Sequence, residues 1–152
     1  MTETGEGYLR YREEGNVHLD FHGATNTTIQ FIVDKFGVGA LDQIFEKVGK
    51  DVYASIRADL MAGDPGQLVR HWRHFFEREG AEYDIAVDNE AIVLTVRRCT
   101  AWHHVHKLVG SVSEHFCDQT SRVNEAMAEG TPFSIATEIT GPGACRQTIR
   151  RR

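Results

Sequence analysis

The chain has no run of eighteen apolar residues, and its start, MTETGEGYLRYREEG, is acidic and polar where an export signal would open basic and turn apolar. These two absences predict a cytoplasmic protein with no membrane partner. Positive charge is scarce as well: 17 Lys and Arg against 22 Asp and Glu give a net charge of -5. That balance opposes attraction to a phosphate backbone and excludes nucleic acid as an expected partner. The basic cluster Arg146, Arg150, Arg151 and Arg152 reads as a solvated tail. Cysteine is rare and odd in number, with Cys99, Cys117 and Cys145 alone. An odd count without an export signal argues against a disulfide framework, and reduced thiols remain free to bind metal or to react.

What is present suffices for one core, since 152 residues with 41% hydrophobic content fall at the usual size of a single domain. Residues 1–15, rich in Glu, Gly and Thr, show no sustained apolar period and read as a flexible arm or as a contact in a homo-oligomer. Residues 16–152 then form the domain. Val17 to Phe21 alternates apolar and polar and fits a short extended segment, with a helical period left open as the alternative. Three helices follow: Asn26 to Phe36, Ala40 to Met61 with a bend at Gly49, and a third that starts at Asp64-Pro65 and closes at Gly80. The period then changes to two. Tyr83 to Val87 and Ile92 to Val96, joined through Asp88-Asn89, predict a hairpin. Trp102 to Val112 and Cys117 to Glu129 predict two further helices, with Ser113 and Asp118 as caps. A second hairpin, Pro132 to Thr140 and Ala144 to Arg150, turns at Gly141-Pro142-Gly143. This order segregates helices from strands and predicts an α+β fold, with the N-terminal helices packed on a four-stranded antiparallel sheet built from two hairpins.

Each cysteine falls at an element boundary: Cys99 at a strand end, Cys117 at a helix start and Cys145 just after a turn. At a helix N-terminus the macrodipole favours a thiolate, which predicts a lowered pKa for Cys117. Glu114 precedes Cys117 by three residues, so a helical stretch would put carboxylate and thiolate on one face. Cys99, Cys117 and Cys145 with Glu114 or a histidine would supply the four donors of tetrahedral zinc. Three cysteines also suit an iron-sulfur cluster with one iron left for another ligand. The spacing Cys99-x17-Cys117-x27-Cys145 matches no regular zinc-finger or ferredoxin pattern, and isolated cysteines also serve as small buried hydrophobes.

Four segments carry a resemblance: Cys99-Thr100-Ala101-Trp102, Phe116-Cys117-Asp118-Gln119-Thr120 on to Asn124-Glu125-Ala126, Gly130-Thr131-Pro132-Phe133, and Gly141-Pro142-Gly143-Ala144-Cys145-Arg146-Gln147. Together they resemble the C-terminal half of the L-2-amino-thiazoline-4-carboxylic acid hydrolase-like family. Thr100 departs from the proline usual there, which removes no donor. Cys99, Glu114, Cys117 and Cys145 are also similar, in order and type, to the zinc ligands of the four-vinyl-reductase-type ligand-binding domain. The first resemblance implies hydrolysis of a carbon-nitrogen bond in a small heterocycle, and the second a zinc site beside a small-molecule pocket.

Eight histidines are many for this length. His18-x3-His22 would present two imidazoles on one helical face. His22-Gly23-Ala24-Thr25-Asn26 places a glycine among hydrogen-bonding side chains at a helix start, which suits a small polar ligand, although Thr25 or Asn26 can equally serve as an N-cap. Trp72, Trp102, His71 and His104 are candidates for a pocket wall or, at helical spacing, for core. Two functions result. In the first, a thiolate-held zinc ion or iron-sulfur cluster acts on a small-molecule substrate, with His22, Glu114 and His115 as catalytic candidates and His22, Asn26, Trp72 and His104 as substrate contacts. A metal-free variant makes Cys117 the nucleophile with His115 or His22 as base. In the second, a closed Cys3Glu zinc site is structural and the protein only binds a ligand.

Overall fold

The computed structural model describes residues 18–152, so the arm assigned to residues 1–15 lies outside the described residues. Helix α1 spans Asp20–Phe36 and buries Gly23, Asn26 and Ile29 at steps of three. It begins six residues earlier than the apolar stripe indicated, so that Asp20 and Phe21, the end of the segment read as extended, lie in its first turn. The reason is tertiary: Gly23 lies so close to a neighbouring helix that an added Cβ would sit 3.0 Å from Leu108, and Asp20 Oδ1 is 2.9 Å from His104 Nε2 on that same helix. Packing of one helix against another outweighs a local alternation of three or four side chains.

The stretch expected as one bent helix is three pieces: α2, Val38–Lys47, a π-helical turn at Val48–Val52, and α3, Ala54–Met61. The turn is marked by the Tyr53 N-H, which donates to the Val48 carbonyl five residues back at 3.1 Å. It presents Gly49 to a later helix, where a Cβ would fall 2.6 Å from Ala126 Cβ and 2.8 Å from the Val123 carbonyl oxygen. Helix α4, Gly66–Arg78, buries Leu68, Trp72 and Phe76 on a single stripe. Asp64 Oδ1 accepts from the Gly66 N-H at 2.8 Å, but the N-cap is Pro65, one residue later than the Asp64 cap expected.

Strands β1, Glu82–Asp88, and β2, Ala91–Arg98, form the first hairpin. Its turn is Asn89-Glu90, both with positive φ (47° and 69°), one residue beyond the expected position. Helices α5, Thr100–Val109, and α6, Asp118–Ala128, follow. The second hairpin is β3, Phe133–Gly141, and β4, Ala144–Arg151. The two hairpins join through antiparallel β2 and β4, giving the sheet order β1-β2-β4-β3. The fold is therefore α+β with N-terminal helices, as the patterning predicted.

Period two divides the sheet faces. Leu94 and Val96, Phe133 and Ile135, and Gln147 and Ile149 are buried beneath the helices. The opposite face carries cross-strand ion pairs between Arg97 and Asp84 and between Arg146 and Glu138. Among the described residues no helix is long and apolar enough to cross a membrane.

Candidate functional site

Where α4, α5 and α6 meet the end of the sheet near the β3-β4 turn, a cavity of about 360 Å³ remains between the layers. Aromatic side chains, among them Phe45, Trp72, Phe76, Trp102 and Phe116, form much of its wall. Cys99, Cys117 and Cys145 all line it, although 17 and 27 residues separate them along the chain.

Each thiol arrives by a different route. Cys99 is the N-cap of α5, and its Sγ accepts from the Trp102 N-H at 3.5 Å. Its own N-H donates to the Gly143 carbonyl at 2.7 Å, which ties the start of α5 to the β3-β4 turn. Cys145 lies two residues past that glycine, paired with Val96 on β2 and Ile139 on β3, on the inward parity of β4. Cys117 is the residue before α6, and its side chain caps no helical N-H.

Burial raises all three thiols above the ordinary cysteine value. For Cys99 the backbone N-H groups of Trp102 and Ala101 oppose the shift in part, and for Cys145 the Gln147 side chain does so. Cys117 is pushed up to about 12, first by burial and then by the Cys99, Cys145 and Asp118 charges. The macrodipole expectation for Cys117 is thereby overturned: desolvation and three like charges outweigh a helix end whose N-H groups the sulfur does not meet.

The candidates outside the cysteines divide. His22 lines the cavity, and its Nε2 is 2.7 Å from Glu79 Oε2, with side chains 16% and 3% exposed. Trp72, His71 and Trp102 also form the wall. Asn26 does not: it is buried between α1 and the segment after α5, where its Oδ1 accepts from the Ser113 N-H at 2.8 Å. It fastens the middle of α1 to that segment. His104 is paired with Asp20 instead. His115 Nδ1 is 2.9 Å from Asp118 Oδ2, a local contact outside the cavity lining. Glu114, in a turn, has 87% of its side chain exposed, stands 3.5 Å from His115 and is not part of the cavity lining. His18 stacks on Phe21 with ring centroids 6.5 Å apart and does not join His22 at the wall.

Three residues at or beside the site take no role from the sequence: Glu79, which reaches it through His22, and Asn124 and Gln147, which stand only within the motifs of the resemblance. Asn124 is 3% and Gln147 2% exposed. Both carried a readable signal, because Asn124 interrupts the apolar face of α6 beside Val123 and Met127, and Gln147 interrupts the inward parity between Cys145 and Ile149. Glu79 carried none, since a charged residue at a helix end is ordinarily solvated.

Three thiols lining one cavity are the donor chemistry of a soft metal ion or an iron-sulfur centre. Among the described residues, however, no group of three or more His, Cys, Asp or Glu side chains is arranged around a point that would hold an ion. The site has the donor set and not a closed coordination sphere. Compared with known proteins, the chain matches no family model and no curated protein.

Proposed function

We propose that this protein acts on a small molecule held in the cavity, with Cys99, Cys117 and Cys145 as thiolate ligands of a zinc ion or an iron-sulfur centre on its wall. The supporting observation is the convergence of all three cysteines, from the N-cap of α5, the start of α6 and the inward face of β4, on the same cavity. Following the resemblance of the cysteine motifs, the reaction is hydrolysis of a carbon-nitrogen bond in a small heterocycle.

A bound centre with an open position would supply Lewis-acid polarisation of the substrate. The remaining roles belong to the chain. Glu79, nearly fully buried, accepts a hydrogen bond from His22 Nε2, so Nδ1 is the ring nitrogen left to take up a proton. The aromatic wall excludes water and orients a flat ring. A nucleophilic Cys117 without metal is disfavoured, because a thiol raised to about 12 supplies almost no thiolate at neutral pH. The closed Cys3Glu site is disfavoured too, because Glu114 is turned to solvent.

The test is anaerobic purification followed by visible spectroscopy and assay of zinc, iron and acid-labile sulfide. Iron with sulfide supports the cluster, and about one zinc per chain supports the ion. Neither, with unchanged stability in Cys99→Ser, Cys117→Ser and Cys145→Ser, overturns the metal reading. Absence of turnover of thiazoline carboxylates and cyclic amidines by the metal-replete protein overturns the hydrolase.

A further inference from the structure

The polar end of the cavity is a chain of three side chains whose hydrogen-bond senses are linked. Gln147 Nε2 faces Cys145 Sγ at 3.6 Å as donor, so its Oε1 is the acceptor for Asn124 Nδ2 at 2.8 Å. The second Nδ2 hydrogen of Asn124 goes to Thr137 Oγ1 at 3.0 Å. Both amide hydrogens of Asn124 are therefore committed, one to each neighbouring strand residue, and the amide plane is held from two sides. Its Oδ1 accepts no hydrogen bond from any described residue, although Asn124 is 3% exposed and lines the cavity.

The oxygen is not among the described buried atoms that lack a partner, so it is open at the cavity wall, and a ligand that covers it without donating a hydrogen bond forfeits the one that water supplies. Here it is the acceptor that the inward faces of α6, β3 and β4 hold beside a chamber walled largely by aromatic side chains and the three thiols. We infer that Asn124 Oδ1 is the specificity determinant of the cavity: it receives a hydrogen bond from a ring N-H of the ligand. The ligand class is then a flat, largely apolar ring compound bearing that donor. A ring of the same shape without the N-H leaves Oδ1 unmet and is rejected. The carboxamide acts by hydrogen bonding alone, and no covalent step is involved.

This inference rests on the small-molecule reading above but not on the metal. Indole, benzofuran and N-methylindole are matched probes that share an outline and differ at the donor position. Their affinities for the wild-type protein as purified are measured by calorimetry, with 15N-labelled indole followed by NMR. Indole should bind about tenfold more tightly than benzofuran or N-methylindole, and its N-H resonance should move downfield on binding. Asn124→Leu, checked for folding by circular dichroism, should bring indole and benzofuran to equal affinity. Equal affinity of the three probes for wild type, or discrimination that persists in Asn124→Leu, overturns the role of Asn124 and leaves the small-molecule reading standing. No binding of any probe at millimolar concentration overturns this inference, while the small-molecule reading stands or falls on turnover of its own substrates.

Discussion

The Cys99 N-H donates to the Gly143 carbonyl oxygen at 2.7 Å, joining the start of α5 to the turn between β3 and β4. This contact brings Cys145 alongside Cys99 at the cavity wall, although the two are far apart in the chain. It is possible only because the turn runs closely over α5: a Cβ at Gly143, where φ is +67°, would meet His103 Nε2 at 2.5 Å and Trp102 Cε3 at 3.2 Å.

Gly143→Ala should accordingly cost about 2 kcal/mol of stability, from left-handed backbone strain and the clash together. Urea denaturation with an unchanged m-value would register it. A cost below about 0.5 kcal/mol would show that the turn can lift from α5 freely.

Gly49→Ala should be destabilising by a similar mechanism on the other side of α6. Its Cβ would press on Ala126 Cβ and the Val123 carbonyl oxygen at 2.6 and 2.8 Å, and backbone cannot give way as a flexible side chain can. A loss of about 1–3 kcal/mol is expected. Because α6 carries Asn124 and follows directly on Cys117, probe affinity should fall together with stability.

In the metal-free protein the thiols make stability depend on pH. The folded state holds the Cys117 proton up to about 12, while the unfolded chain releases it near the ordinary cysteine value. Above that ordinary value the unfolded state binds fewer protons, so stability falls as pH rises from about 9 towards 12. Melting temperatures at pH 8 and pH 10 should differ in that direction, and Cys117→Ala should reduce the difference. Iodoacetamide should also alkylate native Cys117 much more slowly at pH 8 than the unfolded chain.

Glu114→Ala should leave both stability and metal content unchanged, within about 0.5 kcal/mol for the former, as expected of an exposed side chain. Cys99→Ser, Cys117→Ser and Cys145→Ser should each lower the metal content. Loss of metal in Glu114→Ala would restore the closed four-ligand site.

Glu79→Ala should be destabilising by about 1–3 kcal/mol, because it removes the partner of a largely buried imidazole. If His22 takes up the substrate proton, Glu79→Gln should fold well yet lose turnover, whereas a merely structural carboxylate would tolerate the amide in both respects.

The secondary structure was legible wherever one period dominated. The alternation of Tyr83, Ile85 and Val87 against Ile92, Leu94 and Val96 identified the first hairpin, and the stripe of Leu68, Trp72 and Phe76 identified α4. It was less legible where packing between elements decided. The first turn of α1 follows from Gly23 meeting α5, and the π-helical turn at Gly49 relates to a helix more than seventy residues later.

By itself, the sequence determined an α+β fold of two hairpins under helices, and it singled out three cysteines at element boundaries. Local periodicity and turn chemistry suffice for such conclusions, because they depend on neighbours within a few residues. Which of the polar candidates accompany the thiols was decided only by tertiary structure. Nothing local tells that Glu114 turns to solvent while Glu79 is buried behind His22, or that Asn124 reaches across to Thr137 and Gln147. Those outcomes depend on the way α4 and α6 lie against the sheet, and burial there, more than charge or spacing, sets what each side chain can do.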